Sequence, residues 1–253
     1  MKWEVVEDYD ALSVLAAQLM LSALALKPQM VLGLPTGRTP EGMYAQVVRA
    51  CHKEYHCFSS VTTFNLDEYV GILPDHPASY GTYMRSRLFD HVDLDPSRRN
   101  IPDGLATAIR RDHPRLTLDE ALPLECTRYE QAIAGAGLDL TFLGLGTNGH
   151  IGFNEPGGSF ESRTRVVRLS ESTRKANASF FGEDSVPDRA ITMGIATILS
   201  SKQIIVMASG TKKASIVRRL EQEPASEDLP ASSLRRHPDV TVIVDNAAAA
   251  ELS

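Results

Sequence analysis

Five short, nearly continuous apolar runs set the strongest constraint on how this chain can fold. They are "MVLGLP" (30–35), "VTTFNL" (61–66), "DLTFLGL" (139–145), "QIIVMAS" (203–209) and "DVTVIVD" (239–245). Runs of this length, bounded by glycine, proline and polar residues, predict strands buried on both faces. Before and between them lie stretches of helical periodicity: residues 7–26, with Leu12, Leu15, Leu19, Ala23 and Leu26 at helical spacing, then 79–92, 119–134 and 211–222. A further helix opens at Thr39-Pro40-Glu41, with Thr39 expected as N-cap and Pro40 in the first turn. Strands alternating with helices predict a mainly parallel sheet covered on both faces. No repeat or linker interrupts the pattern, so residues 1–253 are expected to form a single domain. The polar segment 161–188, rich in Ser, Thr, Arg and Asn, is expected to be a mobile excursion over the sheet edge.

Charge narrows the function. The chain carries 26 basic and 32 acidic residues, a net charge of −6, which is not the basic footprint of a nucleic-acid binder. Any anion site must therefore be a local cluster. The three cysteines, Cys51, Cys57 and Cys126, form an odd set without paired spacing, which argues against a disulfide framework or a zinc knuckle and fits a reducing cytosol. The acidic N-terminus has no signal-like apolar core, and the apolar stretch 11–26 reads as too short and too amphipathic to span a bilayer. A soluble, cytoplasmic protein without a membrane partner is expected.

In open α/β sheets ligands bind beyond the carboxyl ends of the strands, so the residues just behind the apolar runs are the candidates for chemistry. Behind the second run, "FNLDEYVG" presents two adjacent acids, Asp67 and Glu68; ordinary solvated carboxylates are the alternative reading. Behind the first, "LGLPTGRTP" makes a strand–turn–helix junction whose backbone N–H groups attract an anion. It lacks the Lys-Ser/Thr ending of a P-loop and the spacing of a dinucleotide fingerprint. Behind the third, the glycine-punctuated "GLGTNGHIGFNEPGG" carries Asn148, His150, Asn154 and Glu155. A histidine with an acid five residues on suits proton transfer near neutrality, whereas one histidine among scattered acids is not metal-ligand spacing. Behind the fourth, Lys212 and Lys213 stand at a helix start, where cations are disfavoured unless an anion sits there. Arg174 and Lys175 are a second possible anion contact, and solvated side chains remain the alternative for both pairs. Tyr80, Tyr83, Phe89 and Val92 in 76–92 read as core packing.

Taken together these segments resemble the glucosamine-6-phosphate deaminase/isomerase family over about residues 30–252. "NLDEYVG" and "GHIGFNEP" carry the resemblance most specifically, supported by "LGLPTGRTPEGMY", "HPASYGTYM", "SRTRVVRLSESTRKANASFF", "VPDRAITMGIATIL" and "HPDVTVIVD". The resemblance implies a Rossmann-like three-layer α/β/α sandwich with a lid at about 161–188. It also implies conversion of glucosamine 6-phosphate to fructose 6-phosphate and ammonia, with no metal or cofactor. By position, Asp67 matches the base that moves a proton between sugar C2 and C1. His150 matches the residue that opens the pyranose ring, and Glu155 the acid supporting it. Gly37, Arg38 and Thr39 match the phosphate cradle, with Lys213 closing on it. Galactosamine 6-phosphate is a rival substrate; a 6-phosphogluconolactonase and a silent sugar-phosphate sensor are further alternatives.

Four positions depart from the family pattern. Asn148 stands where many members have Asp, Arg38 where they often have Gly or Ser, and Ser179 where they have a lid Arg. Arg38 or Arg174 could supply the missing charge. Val167 replaces a Lys of the allosteric hexameric members, and the tail of those members is absent here, although Arg165 remains. A constitutively active monomer or small homo-oligomer is the resulting expectation.

Overall fold

All five apolar runs form strands. The computed structural model describes residues 1–52 and 57–252. The chain begins with strand β1 (Lys2–Val6), helix α1 (Tyr9–Leu26), β2 (Val31–Leu34), α2 (Glu41–Cys51) and β3 (Thr62–Asn65). Then follow β4 (Asp67–Tyr69), α3 (Tyr80–Arg87), β5 (Arg99–Asn100), α4 (Thr107–Asp112), α5 (Leu118–Ala136) and β6 (Leu140–Gly144). The last part holds β7 (Arg165–Arg168), α6 (Glu171–Asn177), β8 (Arg189–Thr192), α7 (Ile195–Ile198), β9 (Gln203–Ala208), α8 (Ala214–Gln222) and β10 (Val240–Asp245).

Seven strands pair in parallel in the order β1-β10-β9-β6-β2-β3-β5. The connections run outward in opposite directions from β2 and β6, so their carboxyl ends flank the switch-point crevice of a doubly wound sheet. Successive side chains feed two cores, one on each face. On β9, Ile204, Val206 and Ala208 pack with α5 and α8 residues such as Ile133 and Val217. Ile205 and Met207 pack on the opposite side with Leu12, Met20 and Val47 of α1 and α2. This is the expected three-layer Rossmann-like sandwich. Truncating a fully buried side chain in either core, such as Leu32, to alanine is expected to cost about 2–5 kcal/mol.

A second, antiparallel sheet, β4-β8-β7, sits beside the first. It explains why acids follow an apolar run so abruptly. The chain leaves the parallel sheet at Leu66, and one residue later Asp67 is already paired with Thr192, Glu68 with Ile191 and Tyr69 with Ala190.

Several local expectations are corrected. Pro40, not Thr39, is the N-cap of α2, and no side chain caps it; the Thr39 carbonyl instead accepts a bond from the Tyr9 hydroxyl at 3.1 Å. The helix expected over 79–92 ends at Arg87 and is followed by a separate 3-10 turn, Phe89–His91. The helix expected from 211 begins as a 3-10 turn, Thr211–Lys213, before α8. Segment 161–188 lies at the carboxyl end of the main sheet rather than over its edge, and contributes β7 and α6. β1 escaped the sequence reading because this edge strand mixes half-buried and exposed residues, two of them charged, instead of forming an apolar run.

Helix α1 is long and apolar enough, by length and composition, to cross a membrane, so the stretch is not too short as expected. Its apolar face, Leu12, Ala16, Ala17, Met20 and Leu24, is instead buried in the second core.

Candidate active site

A cleft of about 720 Å³ opens at the carboxyl ends of β2, β3, β6 and β9. Asp67, Asn148, His150, Gly37, Arg38, Thr39 and Lys213 all line it, and Glu155 stands directly behind Asn148 and His150. Residues more than 170 positions apart in the chain therefore meet because four parallel strands end side by side.

The histidine loop is built tightly. Gly146 N–H donates to the His150 carbonyl at 2.9 Å and Gly149 N–H to the Gly146 carbonyl at 3.0 Å. The imidazole lies on Gly146 so closely that a Cβ there would fall 2.4 Å from Nδ1, which only glycine avoids. The Asn154 amide pins the loop by donating to the Ile151 and Met193 carbonyls, and Phe153 N–H donates to Thr192 Oγ1 at 3.1 Å. Thr192 is the residue paired with Asp67, so these bonds fix the His150 loop to β8, the partner of the strand that carries the acid.

Hydrogen bonding determines the protonation pattern of His150. Asn148 Nδ2 donates to Glu155 Oε2 at 2.7 Å, and a carboxylate only accepts, so the amide is oriented with Oδ1 toward the ring. That oxygen is 2.6 Å from His150 Nδ1, which must carry the proton, leaving Nε2 unprotonated in the neutral ring. Burial, with a smaller contribution from Lys213, holds the imidazole pKa below its ordinary value; the nearby Glu155 charge opposes this in part. Burial alone would raise Glu155, but donation from Thr173 and Asn148 and the His150 charge bring it below the usual range.

The two acids of "FNLDEYVG" have separate jobs. Glu68 accepts from Tyr69 N–H, Tyr80 N–H, Gly81 N–H and Ser79 Oγ at 2.8–3.1 Å, and so anchors the start of α3. Asp67 is 6% exposed and receives no hydrogen bond to its carboxylate from the described residues. Burial, then the neighbouring Glu68 charge, push its pKa up to about 8.

Opposite the histidine, residues 35–39 form the anion-attracting turn, with Gly37 at φ +94° where other residues are strained. The Tyr83 hydroxyl donates to the Gly37 carbonyl at 2.6 Å and the Tyr44 hydroxyl to the Pro35 carbonyl at 2.6 Å, so α3 and α2 hold the turn. Lys213 Nζ reaches across to the Leu145 carbonyl at 2.6 Å, and burial lowers its pKa. Lys212 also lines the cleft, more exposed. The Arg38 guanidinium lies 3.4 Å from Ser179 Oγ and 5.7 Å from the Phe180 ring centre, bridging the turn to the segment after α6. Arg174, the other candidate for a lid cation, is not among the cleft-lining residues.

The sequence reading missed Tyr80, Tyr83, Thr173, Asn177, Phe180 and Ser209 around this cleft. Tyr80 and Tyr83 pack against the buried cores as expected, and in addition Tyr80 lines the cleft and Tyr83 holds the Gly37 carbonyl, since helical spacing does not show that one side chain serves both. Among the described residues no group of three or more His, Cys, Asp or Glu side chains could hold a metal ion.

A doubly wound sheet with an acid, a relay-held histidine and an anion turn at one switch point defines an acid–base site for a small phosphorylated substrate. The chain belongs to the family described as glucosamine-6-phosphate isomerases/6-phosphogluconolactonase, which it matches over residues 7–243. It is 50% identical to glucosamine-6-phosphate deaminase 1 of Bacillus subtilis, over 96% of each chain. It is 48% identical to glucosamine-6-phosphate deaminase of Rhodopirellula baltica, over 98% of this chain and 95% of that one. A solved monomeric glucosamine-6-phosphate deaminase superposes with a TM-score of 0.90 at 49% identity, covering 99% of this chain and 100% of its own. A 6-phosphogluconolactonase from Trypanosoma cruzi shares the fold, with a TM-score of 0.77 at 20% identity over 100% of this chain and 97% of that one.

Proposed function

We propose that the chain converts glucosamine 6-phosphate and water to fructose 6-phosphate and ammonia, an isomerising deamination in amino-sugar breakdown. One observation carries the reading: a buried acid, Asp67, whose carboxylate accepts no hydrogen bond from the described residues, shares a cleft with His150 and Asn148, backed by Glu155, and the cleft ends in an anion turn and Lys213. Relatives that bear the deaminase name, matched over 96% and 95% of their length, support it.

In this reading the phosphate sits on the backbone of Gly37, Arg38 and Thr39 with Lys213, and supplies binding energy remote from the reacting carbons. His150 Nε2 takes the proton of the anomeric hydroxyl and returns it to the ring oxygen, which breaks the C1–O5 bond and gives the open aldehyde. The Asp67 carboxylate removes the C2 proton, leaving a cis-enolamine, and delivers a proton to C1. Water then adds at C2 and ammonia leaves, so the net reaction consumes one water and is redox-neutral. The substrate ammonium would favour the ionised form of Asp67 on binding. We further propose a cytoplasmic, single-domain enzyme active as a monomer without allosteric activation, in keeping with the monomeric relative.

The test is ammonia release from glucosamine 6-phosphate and from galactosamine 6-phosphate, beside an Asp67→Asn control. Release that prefers the gluco epimer and is lost in the variant is the expected result. Release only from the galacto epimer would reassign the substrate, and binding without release from either sugar would overturn the deaminase reading.

A further inference from the structure

Helix α6 reaches the histidine through three side chains. Thr173, in its first turns and 7% exposed, donates through Oγ1 to Glu155 Oε1. Ser170, the N-cap of the same helix, has its hydroxyl 3.2 Å from that oxygen and 2.9 Å from Thr173 Oγ1. The other carboxylate oxygen accepts from Asn148, whose Oδ1 faces His150 Nδ1. Among the described residues, Glu155 therefore has three side-chain donors, Asn148, Ser170 and Thr173, and two of them belong to α6 or its cap.

We propose that Thr173 is a positioning residue for His150: it fixes the Glu155 carboxylate, and through Asn148 selects the Nδ1–H tautomer that leaves Nε2 free to accept a proton. The proposal rests on the functional reading above and adds to it a residue that is distant from the ring-opening atoms. The geometry gives the reason. Glu155 Oε2 is 3.9 Å from His150 Nδ1, too far for a direct hydrogen bond, so the carboxylate acts on the ring only through the amide. A carboxylate released from Thr173 keeps only the Asn148 donor at 2.7 Å and the longer Ser170 contact at 3.2 Å, so it is held less firmly against the amide. Asn148 Oδ1 also accepts from the His150 backbone N–H at 3.2 Å, so the amide orientation rests on two bonds, and a weakened Glu155 contact leaves it held by the longer one. Thr173 also lines the cleft with Asn177 and Phe180, so the helix that covers the substrate site is the one that sets the base.

The experiment compares Thr173→Val, which removes the hydroxyl at nearly constant volume, with Thr173→Ser, which keeps it. Two readouts are taken: the tautomer of neutral His150 from ring nitrogen NMR shifts, and kcat and KM for ammonia release. The wild-type chain is expected to show the Nδ1–H form. Thr173→Val is expected to show an admixture of the Nε2–H form and a kcat lower by about tenfold, with KM within about twofold. Thr173→Ser should restore both. A Thr173→Val protein with the wild-type tautomer and wild-type kcat overturns the proposal. So does a Thr173→Ser protein that loses activity equally while the tautomer stays unchanged, since that is the signature of a packing role alone. If the wild-type chain released no ammonia, the deaminase reading would fall, while the tautomer comparison would still decide the role of Thr173.

Discussion

Asp67 and Glu68 are adjacent in sequence and opposite in circumstance: Glu68 accepts from three backbone N–H groups and the Ser79 hydroxyl, while the Asp67 carboxylate accepts no bond from the described residues. Pleating sends one side chain to the start of α3 and the other into the cleft. A fully bonded acid is a structural anchor, and an unbonded, buried one with a raised pKa is the better candidate for proton transfer.

The pH profile follows from that state. With Asp67 pushed up to about 8, the free enzyme holds it largely protonated at neutral pH, and a base must be ionised to act. The logarithm of kcat/KM is expected to rise with unit slope on the acid side and level off near pH 8. His150, held below its ordinary value by burial, is neutral where the profile levels off near pH 8. An acid limb that levels off near pH 4 would contradict this assignment.

Stability should depend on the same carboxyl. Its folded pKa of about 8 lies above the ordinary 3.8, so the native state keeps a proton that the unfolded chain releases. The resulting stabilisation is complete below about pH 4 and is lost as pH rises toward 8. Asp67→Asn, neutral at every pH, should therefore gain on the wild type by about 1.4 kcal/mol for each pH unit above 5 until the difference levels off near pH 8. For a chain of this size that is roughly 3–6 °C in melting temperature per unit.

Asn148→Asp tests the electrostatics of the relay. A carboxylate there would lie beside His150 Nδ1, raising the imidazole pKa, but also 2.7 Å from Glu155 Oε2, where two acids compete for one proton. The expected outcome is a His150 titration shifted upward by about one unit or more, with reduced activity. An NMR titration that leaves His150 unmoved would refute it.

Gly146→Ala tests the seat of the imidazole. The added methyl would fall 2.4–2.5 Å from three ring atoms, so the ring must move. A displacement near 1 Å is expected to lower kcat by about 100-fold. The fold should persist, because Gly146 belongs to the loop after β6 and not to the sheet itself.

The phosphate assignment predicts effects concentrated in KM. Lys213→Met should raise KM by roughly 10–100-fold, the value of one charge-assisted bond, and should leave the weak binding of unphosphorylated glucosamine unchanged. Tyr83→Phe removes the 2.6 Å bond that holds the Gly37 carbonyl and should raise KM by about threefold to tenfold. Equal losses with and without the phosphate would place Lys213 elsewhere in the mechanism.

The sequence by itself determined the layered fold and most of the cleft. Near-continuous apolar runs such as "QIIVMAS" can only be strands covered on both faces, and a parallel sheet brings their carboxyl ends together. Asp67, Asn148, His150, Arg38 and Lys213 follow directly on those runs, so their presence at one crevice was legible from position alone. Tertiary structure decided what local pattern does not encode. The half-exposed residues of β1 carry no apolar run, and the pairing of Asp67 with Thr192 depends on a strand more than 120 residues away. Tyr80 and Tyr83 have the spacing of core residues, and only the packing of α3 turns them toward the cleft and the Gly37 turn. The contact of Thr173 with Glu155 likewise exists only because α6 folds back over the site. Periodicity reports which side of an element is covered; what covers it is a property of the assembled chain.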